Sequence, residues 1–281
     1  MIYLFLSVLS STGIFVLFKL FKKYKIDTLQ AIVVNYVTAC ICGVLLYEGR
    51  INPSEIIASN WFYGALFLGF LFIVIFNVMA LTAQKNGLSV ASVASKMSVI
   101  IPIIFGIYVF NERIGVQKIV GIFLALIAVY LSSLKDKDRV VLTKSIYLPI
   151  LLFFGSGIID TFVNYFAPND KIPLFSATIF AIAGVVGFFI LTYQSIKQHR
   201  YFKIKNIPFG ITLGIVNYCS IYFLLKALRV DGFESSTLFT INNVAIVAIS
   251  TLAGLLLFKE KISYKNWIGI FTVSYTHLTL P

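Results

Sequence analysis

Long apolar stretches alternate with short polar breaks along the whole chain. About 20 mainly apolar residues suffice for an α-helix to cross the hydrocarbon core of a bilayer. Helices are expected because the backbone polar groups of a membrane segment must be satisfied within that segment. The pattern predicts an all-α polytopic membrane protein with ten transmembrane helices, the tenth short, at 2–20, 28–47, 61–84, 88–110, 116–134, 146–167, 172–194, 207–229, 233–258 and from 266 onward.

The two halves of the chain carry related features in the same order. The recurring features are Ile-Tyr-Leu at 2–4 and 146–148, glycine at 43 and 187, and the similar segments 111–123 and 259–271. Each half holds five predicted helices, an odd number, so the second half enters the membrane from the opposite side. We therefore predict two inverted five-helix repeats, residues 1–140 and 141–273.

The tenth predicted helix is too short to span a membrane. Only about eight apolar residues stand before the sequence SYTHLTLP at 274–281. That ending resembles a tail that recurs at the ends of unrelated assembled sequences. We interpret residues 274–281 as a non-native tail and the tenth helix as truncated.

Composition and charge placement agree with a membrane protein. The chain is 59% hydrophobic and 12% charged, whereas soluble domains carry about 25% charged residues. The net charge of +12 does not indicate nucleic-acid binding, because the basic residues lie between the apolar stretches. Sixteen of the 23 Lys and Arg residues belong to loops on one side and six to the other. The positive-inside rule then predicts a plasma or inner membrane protein with both termini outside.

Nothing in the sequence implies a cofactor, a metal or direct use of ATP. The three cysteines lie inside apolar stretches without a CxxC or zinc spacing. No GxxxxGK[ST] loop occurs, and the chain has no room for a nucleotide-binding domain. No Ser/His/Asp arrangement and no pair of catalytic carboxylates can be assembled, so the sequence does not support an enzyme.

The most specific stretch runs from residue 86 to residue 131. It contains a predicted helix with a proline at 102, a closing acidic residue, Glu112, and a following glycine-containing helix. This pattern resembles the EamA-type branch of the drug/metabolite transporter superfamily. A weaker second copy, 231–271, has no equivalent of that proline. The resemblance implies ten helices around a central cavity and the movement of small metabolites, often outward, but it does not identify the cargo.

Two charged residues lie deep inside predicted helices. A charge at the bilayer centre costs roughly 2.5–3.5 kcal/mol, so such residues usually face a cavity and have partners. Lys96 lies within 88–110, and Asp160 lies within 146–167. Either Lys96 binds a carboxylate or phosphate of the cargo, or it forms a structural or gating ion pair with Asp160. Asp160 is also a candidate for proton coupling.

Further polar side chains mark the same predicted helices. Those predicted to line the cargo site are Ser92, Asn77, Asn164, Asn217 and Asn243. The alternative for each is a hydrogen bond that holds two membrane helices together. Glu112 and Glu260 close their helices at opposite membrane faces. They are either gating residues or exposed partners of the basic residues beside them, Arg113, Lys259 and Lys261.

These features favour a secondary transporter working by alternating access, expected to export a small polar metabolite such as an amino acid or another carboxylate. The expected partners are the lipid bilayer and the small-molecule substrate, with proton coupling as an option. The alternative is a flippase or an accessory subunit for a lipid-linked substrate, which needs a lateral groove open to lipid. The sequence does not set the oligomeric state.

Overall fold

The computed structural model describes residues 2–102, 104–105, 146–168, 171–198, 201–228 and 235–260. Every regular element within these residues is a helix. In chain order the helices are α1 (Ile2–Lys23), α2 (Thr28–Leu45), α3 (Pro53–Ile57), α4 (Phe62–Lys85), α5 (Leu88–Met97), α6 (Tyr147–Phe166), α7 (Ile172–Gln198), α8 (Asn206–Leu228) and α9 (Ser235–Phe258).

Six stretches of the described chain are long and apolar enough to cross a membrane. They are Ile2–Lys23, Thr28–Leu45, Phe62–Lys85, Ile172–Gln198, Asn206–Ala227 and Ile241–Phe258. The predicted spans at 116–134 and from 266 onward lie outside the described residues, as does the tail 274–281. The ten-helix inverted repeat therefore stays a prediction.

One predicted span contains a short turn. α5 ends at Met97, Ser98 and Val99 form a turn, and helical backbone resumes at Ile100. Leu88–Pro102 is nevertheless one apolar helical segment, and the part of the predicted span 88–110 beyond residue 105 lies outside the described residues. Pro102 explains the interruption, because it has no N–H to donate to the Ser98 carbonyl four residues earlier. The Ile101 N–H donates to that carbonyl instead, over 2.9 Å.

The chain divides into two compact units. The first unit comprises the described residues within 1–20, 78–158 and 219–281, and the second comprises those within 21–77 and 159–218. Each unit therefore combines elements from both predicted repeats.

The first unit is built around α5. All of its side chains except Lys96 are buried, and the helix packs along α9. Hydroxyl groups join the surrounding helices: Ser7 Oγ donates to Asn242 Oδ1 over 3.0 Å, and the Ser95 and Ser156 hydroxyls are 3.3 Å apart. Small hydroxyl side chains suit this role because they allow membrane helices to approach closely and still bond.

The second unit is built on the packing of α2 against α7. At Gly43 a Cβ would lie 2.9 Å from Ala177 Cβ and 3.0 Å from the Pro173 carbonyl, so only glycine allows this approach. Tyr36 of α2 is fully buried, and its ring centroid lies 5.9 Å from that of Phe180. The Tyr36 hydroxyl donates to the Phe72 carbonyl of α4 over 2.8 Å, which satisfies its only polar group inside the core.

Candidate functional site

Lys96 lies in the last turn of α5, directly before the break in that helix. Its side chain is partly buried, whereas its neighbours on α5 are buried. Ser92, one turn earlier, is fully buried, and its hydroxyl donates to the Ser89 carbonyl over 3.0 Å. The Ser92 hydroxyl is therefore engaged with its own helix, while Lys96 sits where regular helical bonding stops.

The first unit also contains buried hydroxyls with unmet hydrogen-bonding capacity. Four of them have no partner among the described residues, namely those of Thr12, Ser89, Ser250 and Thr251. All four residues are less than one-tenth exposed. An unsatisfied buried polar group costs about 1–3 kcal/mol. The helices that carry them are α1, α5 and α9.

Asp160 belongs to the second unit, whereas Lys96 belongs to the first. The Asp160 side chain, on α6, is exposed rather than buried. The predicted pairing of Lys96 with Asp160 stays a prediction, as does proton coupling through Asp160.

The predicted asparagines differ in their surroundings. The Asn77 amide donates to the Ile73 carbonyl of its own helix over 2.7 Å. Asn217 of α8 is buried and donates to Asn35 Oδ1 of α2 over 3.2 Å. Asn243 is buried in α9. The side chain of Asn164 and the whole of Glu112 lie outside the described residues.

The Asn217–Asn35 bond gives a first testable prediction. We expect Asn217→Ala to lower the free energy of unfolding by about 1 kcal/mol, the usual size of such a bond between membrane helices. The KM for transported substrate should not change. Chemical denaturation in detergent and uptake into proteoliposomes measure the two quantities. A raised KM at unchanged stability would instead place Asn217 among the groups that touch the cargo.

Glu260 is held by groups from two distant parts of the chain. Its Oε1 lies 2.5 Å from Lys19 Nζ of α1, and the two side chains are 12% and 20% exposed. The Leu88 N–H, at the start of α5, donates to Oε1 over 3.2 Å and to Oε2 over 3.1 Å. Glu260 is thus paired with a lysine 241 residues away in sequence. Pairing with Lys261 stays a prediction, because that residue lies outside the described residues. We refer to Glu260, Lys19 and the Leu88 N–H as the Glu260 cluster.

Local backbone geometry places Glu260 in the cluster. Lys259 has a φ of 49°, in the left-handed region, and this residue follows the end of α9. The Glu260 N–H then donates to the Gly254 carbonyl over 3.0 Å, so the chain folds back along the last turn of α9. A Cβ on Gly254 would lie 2.8 Å from Glu260 Oε2. Glycine at 254 therefore leaves the room that the carboxylate occupies.

Glu260 supplies a cap that α5 lacks. The cap residue of α5 is Gly87, which has no side chain to accept the first free N–H groups of the helix. The Glu260 carboxylate accepts one of them and places a negative charge at the positive end of α5. Lys19 Nζ also donates to the Ala83 carbonyl in the last turn of α4, over 3.4 Å. The cluster thus joins α1, α4, α5 and α9.

The sequence indicated Glu260 but not Lys19, because residues so far apart leave no local signal of their pairing. A signal was available for the cap of α5: a helix that starts after Gly87, without Ser, Thr, Asp or Asn at that position, needs an acceptor from elsewhere. Asn242, which accepts from Ser7, was missed in favour of its neighbour Asn243.

Comparisons with known proteins agree with this architecture. Residues 1–134 match the model of the EamA-like transporter family, part of the drug/metabolite transporter superfamily, which confirms the resemblance seen in the sequence. An uncharacterized protein of Haemophilus influenzae is 29% identical over 273 residues, which cover 95% of this chain and 93% of that protein. A chain of known crystal structure has a similar fold, with a TM-score of 0.56 at 13% identity, and the match covers 97% of this chain and 96% of that one.

Proposed function

We propose, from the premise that residues 1–134 belong to the EamA-like transporter family, that this multi-pass membrane protein exports a small polar metabolite by alternating access. The turn at Ser98 and Val99, two residues beyond Lys96, is the observation that carries the location of the site. Transporters of several folds bind substrate near the bilayer midplane, at helices interrupted by glycine or proline. The cargo class we propose is an amino acid or another carboxylate, because Lys96 supplies the positive charge there.

The roles of the other residues follow from their places in the two units. In the first unit, Lys96, Ser92 and Asn243 are the proposed cargo contacts. The Ser92 hydroxyl donates to the Ser89 carbonyl, and its oxygen can still accept a hydrogen bond from the cargo. In the second unit, Asp160 is the proposed proton-coupling carboxylate, because its side chain is exposed on a helix of the membrane protein and a carboxylate can bind and release a proton. Asn164 and Asn77 are proposed to orient the cargo, although the Asn77 amide also donates within its own helix. The bond from Asn217 to Asn35 favours the helix-joining alternative for Asn217.

The Glu260 cluster has the gating role in this proposal. While the cluster holds, the end of α9 is joined to α1 and to the start of α5, so elements of both predicted repeats move as one. Release of the carboxylate would free the end of α9. We also retain the inverted-repeat topology and the placement of both termini outside as parts of the proposal.

Uptake into proteoliposomes tests the proposed function. The purified full chain is reconstituted, and the entry of radiolabelled amino acids and organic acids is measured with and without a proton gradient. We expect saturable uptake of at least one carboxylate, stimulated by the gradient. The absence of uptake for every solute in the panel, from protein that is folded in the same vesicles, would overturn it.

The Lys96→Gln variant tests the cargo-binding role. A charge-assisted hydrogen bond contributes about 1.5–3 kcal/mol, so the KM for a carboxylate cargo should rise roughly 10- to 100-fold. The melting temperature should change little, because glutamine keeps a polar group of similar length. Lys171→Gln is the matched control, since Lys171 is exposed before the start of α7. Equal KM values for the two variants would remove Lys96 from the site.

A lateral groove favours a second candidate function, the movement of a lipid-linked substrate. The groove, called the α4–α7 groove below, is lined by Leu66 and Phe70 of α4 and by residues of α7 between Ala181 and Tyr193. Its lining is apolar apart from the Tyr193 hydroxyl, so it offers no polar path for a headgroup. We rank this function second, and scrambling of a fluorescent lipid by the reconstituted protein tests it.

A further inference from the structure

The α4–α7 groove is an open apolar surface on two membrane-spanning helices. Its volume is about 630 Å³. Phe70, Val185 and Phe189 in its lining are 53%, 55% and 67% exposed. An exposed apolar surface of this kind marks a place where another apolar molecule lies.

The length of the groove matches one lipid leaflet. From Ala181 to Tyr193 the helix advances about 18 Å, at 1.5 Å per residue. Half of the hydrocarbon core of a bilayer is about 15 Å thick. An acyl chain of one leaflet can therefore lie along the groove from the middle of the bilayer to its surface.

The groove ends beside an aromatic ring and a cation. Lys197, one turn beyond Tyr193, has its Nζ 5.9 Å from the centroid of the Tyr193 ring. Both side chains are exposed. Tyrosine is enriched at the level of lipid headgroups, and lysine extends its ammonium group towards that level. The groove thus leads from an acyl-chain surface to a positive charge.

A basic segment whose backbone is held by hydrogen bonds follows α7 in the chain. Residues 201–205, Tyr-Phe-Lys-Ile-Lys, are all exposed. The buried side chain of Gln30 fixes their backbone: its Oε1 accepts from the Lys203 N–H over 2.9 Å and from Asn206 Nδ2 over 2.6 Å. Its Nε2 donates to the Tyr201 carbonyl over 3.1 Å. Lys203 and Lys205 are therefore presented on an ordered backbone.

This segment starts near the end of α7. Gln198 and Tyr201 are three positions apart, so their Cα atoms are at most about 11 Å apart. Aromatic and aliphatic side chains alternate with Lys203 and Lys205, a composition suited to the boundary between headgroups and acyl chains. Lys205 Nζ, however, donates to the Lys25 carbonyl over 3.1 Å, so Lys197 is the cation that the described contacts place at the Tyr193 end of the groove.

We propose that the α4–α7 groove binds one anionic phospholipid, with an acyl chain along α7 and its phosphate at Tyr193 and Lys197. The lipid preference rests on the orientation proposed above, in which this end faces the cytoplasm, where anionic lipids concentrate. A second copy of the chain fits less well. In a two-fold dimer the same surfaces meet, which would bring the Lys197 ends of the two copies towards each other. The proposal is independent of the transported cargo.

Native mass spectrometry of the purified full chain tests the proposal. Dioleoylphosphatidylglycerol and dioleoylphosphatidylcholine are added separately, and the bound lipids are counted. Wild type should retain one phosphatidylglycerol in preference to phosphatidylcholine. Lys197→Gln should lower this preference about fivefold, the effect of one cation near an anionic surface. Val185→Trp, which fills the groove, should lower retention of both lipids.

Matched controls lie on or beside the same helix. Lys171→Gln removes an exposed cation near the other end of α7, and Phe188→Trp enlarges a side chain that is 63% exposed and outside the groove lining. Both should bind lipid as wild type does. If Val185→Trp melts below wild type without lipid, Ile190→Trp replaces it as the filling variant.

Two results would overturn the proposal. One is equal retention of the two lipids by wild type, or the same lipid preference for Lys197→Gln and Lys171→Gln. The other is a disulfide-linked dimer formed by Val185→Cys in native membranes and not by wild type, because a second copy would then cover the groove.

Discussion

Glu260→Ala is expected to lower the free energy of unfolding by about 3 kcal/mol, since removal of one partner from a largely buried ion pair leaves the other charge uncompensated. Lys19 would remain 80% buried without its carboxylate, and the Leu88 N–H would lose its acceptor. Denaturant unfolding of the purified protein in detergent measures the loss. Glu55→Ala is the matched control, because Glu55 accepts only an exposed hydrogen bond from Asn52, and its loss should cost less than about 0.5 kcal/mol.

A charge exchange separates the two contributions of Glu260. In Lys19→Glu combined with Glu260→Lys, opposite charges still face each other, so a simple ion pair would be restored. A lysine at 260, however, cannot accept the Leu88 N–H and places a positive charge at the positive end of α5. We therefore expect the double variant to remain nearly as unstable as Glu260→Ala. Full recovery of stability would show that Glu260 is an ion-pair partner without a capping role.

Transport measurements on Glu260→Gln separate gating from stability. Glutamine can still accept the Leu88 N–H but no longer binds Lys19 as an anion. If the cluster gates transport, the maximal rate of uptake per folded molecule changes while the KM does not. A purely structural role predicts unchanged values for both once the amount of folded protein is taken into account.

Gly87→Ala is expected to be destabilising by about 2–4 kcal/mol, from backbone strain and from overpacking. Gly87 has φ 109° and ψ 164°, a conformation that residues with a side chain rarely adopt. A Cβ there would also lie 2.9 Å from Glu260 Oε2. The same unfolding measurement applies. The control is Gly184→Ala in α7, where the nearest heavy atom is 3.7 Å away, and a stability gain of about 0.5–1 kcal/mol is expected.

The clash and the strain at Gly87 can be told apart by combining variants. In a Glu260→Ala background the carboxylate is gone, so Gly87→Ala should cost less than it does in wild type. We expect a coupling of roughly 1 kcal/mol, within the range for residues in contact. Strict additivity would mean that the whole cost at residue 87 is backbone strain.

The positions of the long helices were readable from the sequence. α4 and α7 begin within one residue of prediction, since apolar runs bounded by charged and turn residues report where a chain enters and leaves hydrocarbon. The short α3 was missed because five residues carry no detectable periodicity. The turn at Ser98 and Val99 was not predicted, because the proline behind it acts four residues upstream of its own position.

What the sequence determined by itself was a helical membrane protein that resembles the EamA-type transporters, with Lys96 as a charged residue inside a predicted helix and Glu260 as one that closes a predicted helix. These properties follow from the free-energy cost of exposing backbone polar groups and charges to hydrocarbon. That cost applies to each segment independently of the rest of the chain, so it can be recognised from the local sequence. Only the tertiary structure decided which groups meet. Asn242 and Asn243 are neighbours in sequence, but successive side chains of an α-helix point about 100° apart. It is the Asn242 side chain that accepts the hydrogen bond from the Ser7 hydroxyl. Lys19 reaches Glu260 across 241 residues because the packing of helices, not their local pattern, brings those two helix ends together.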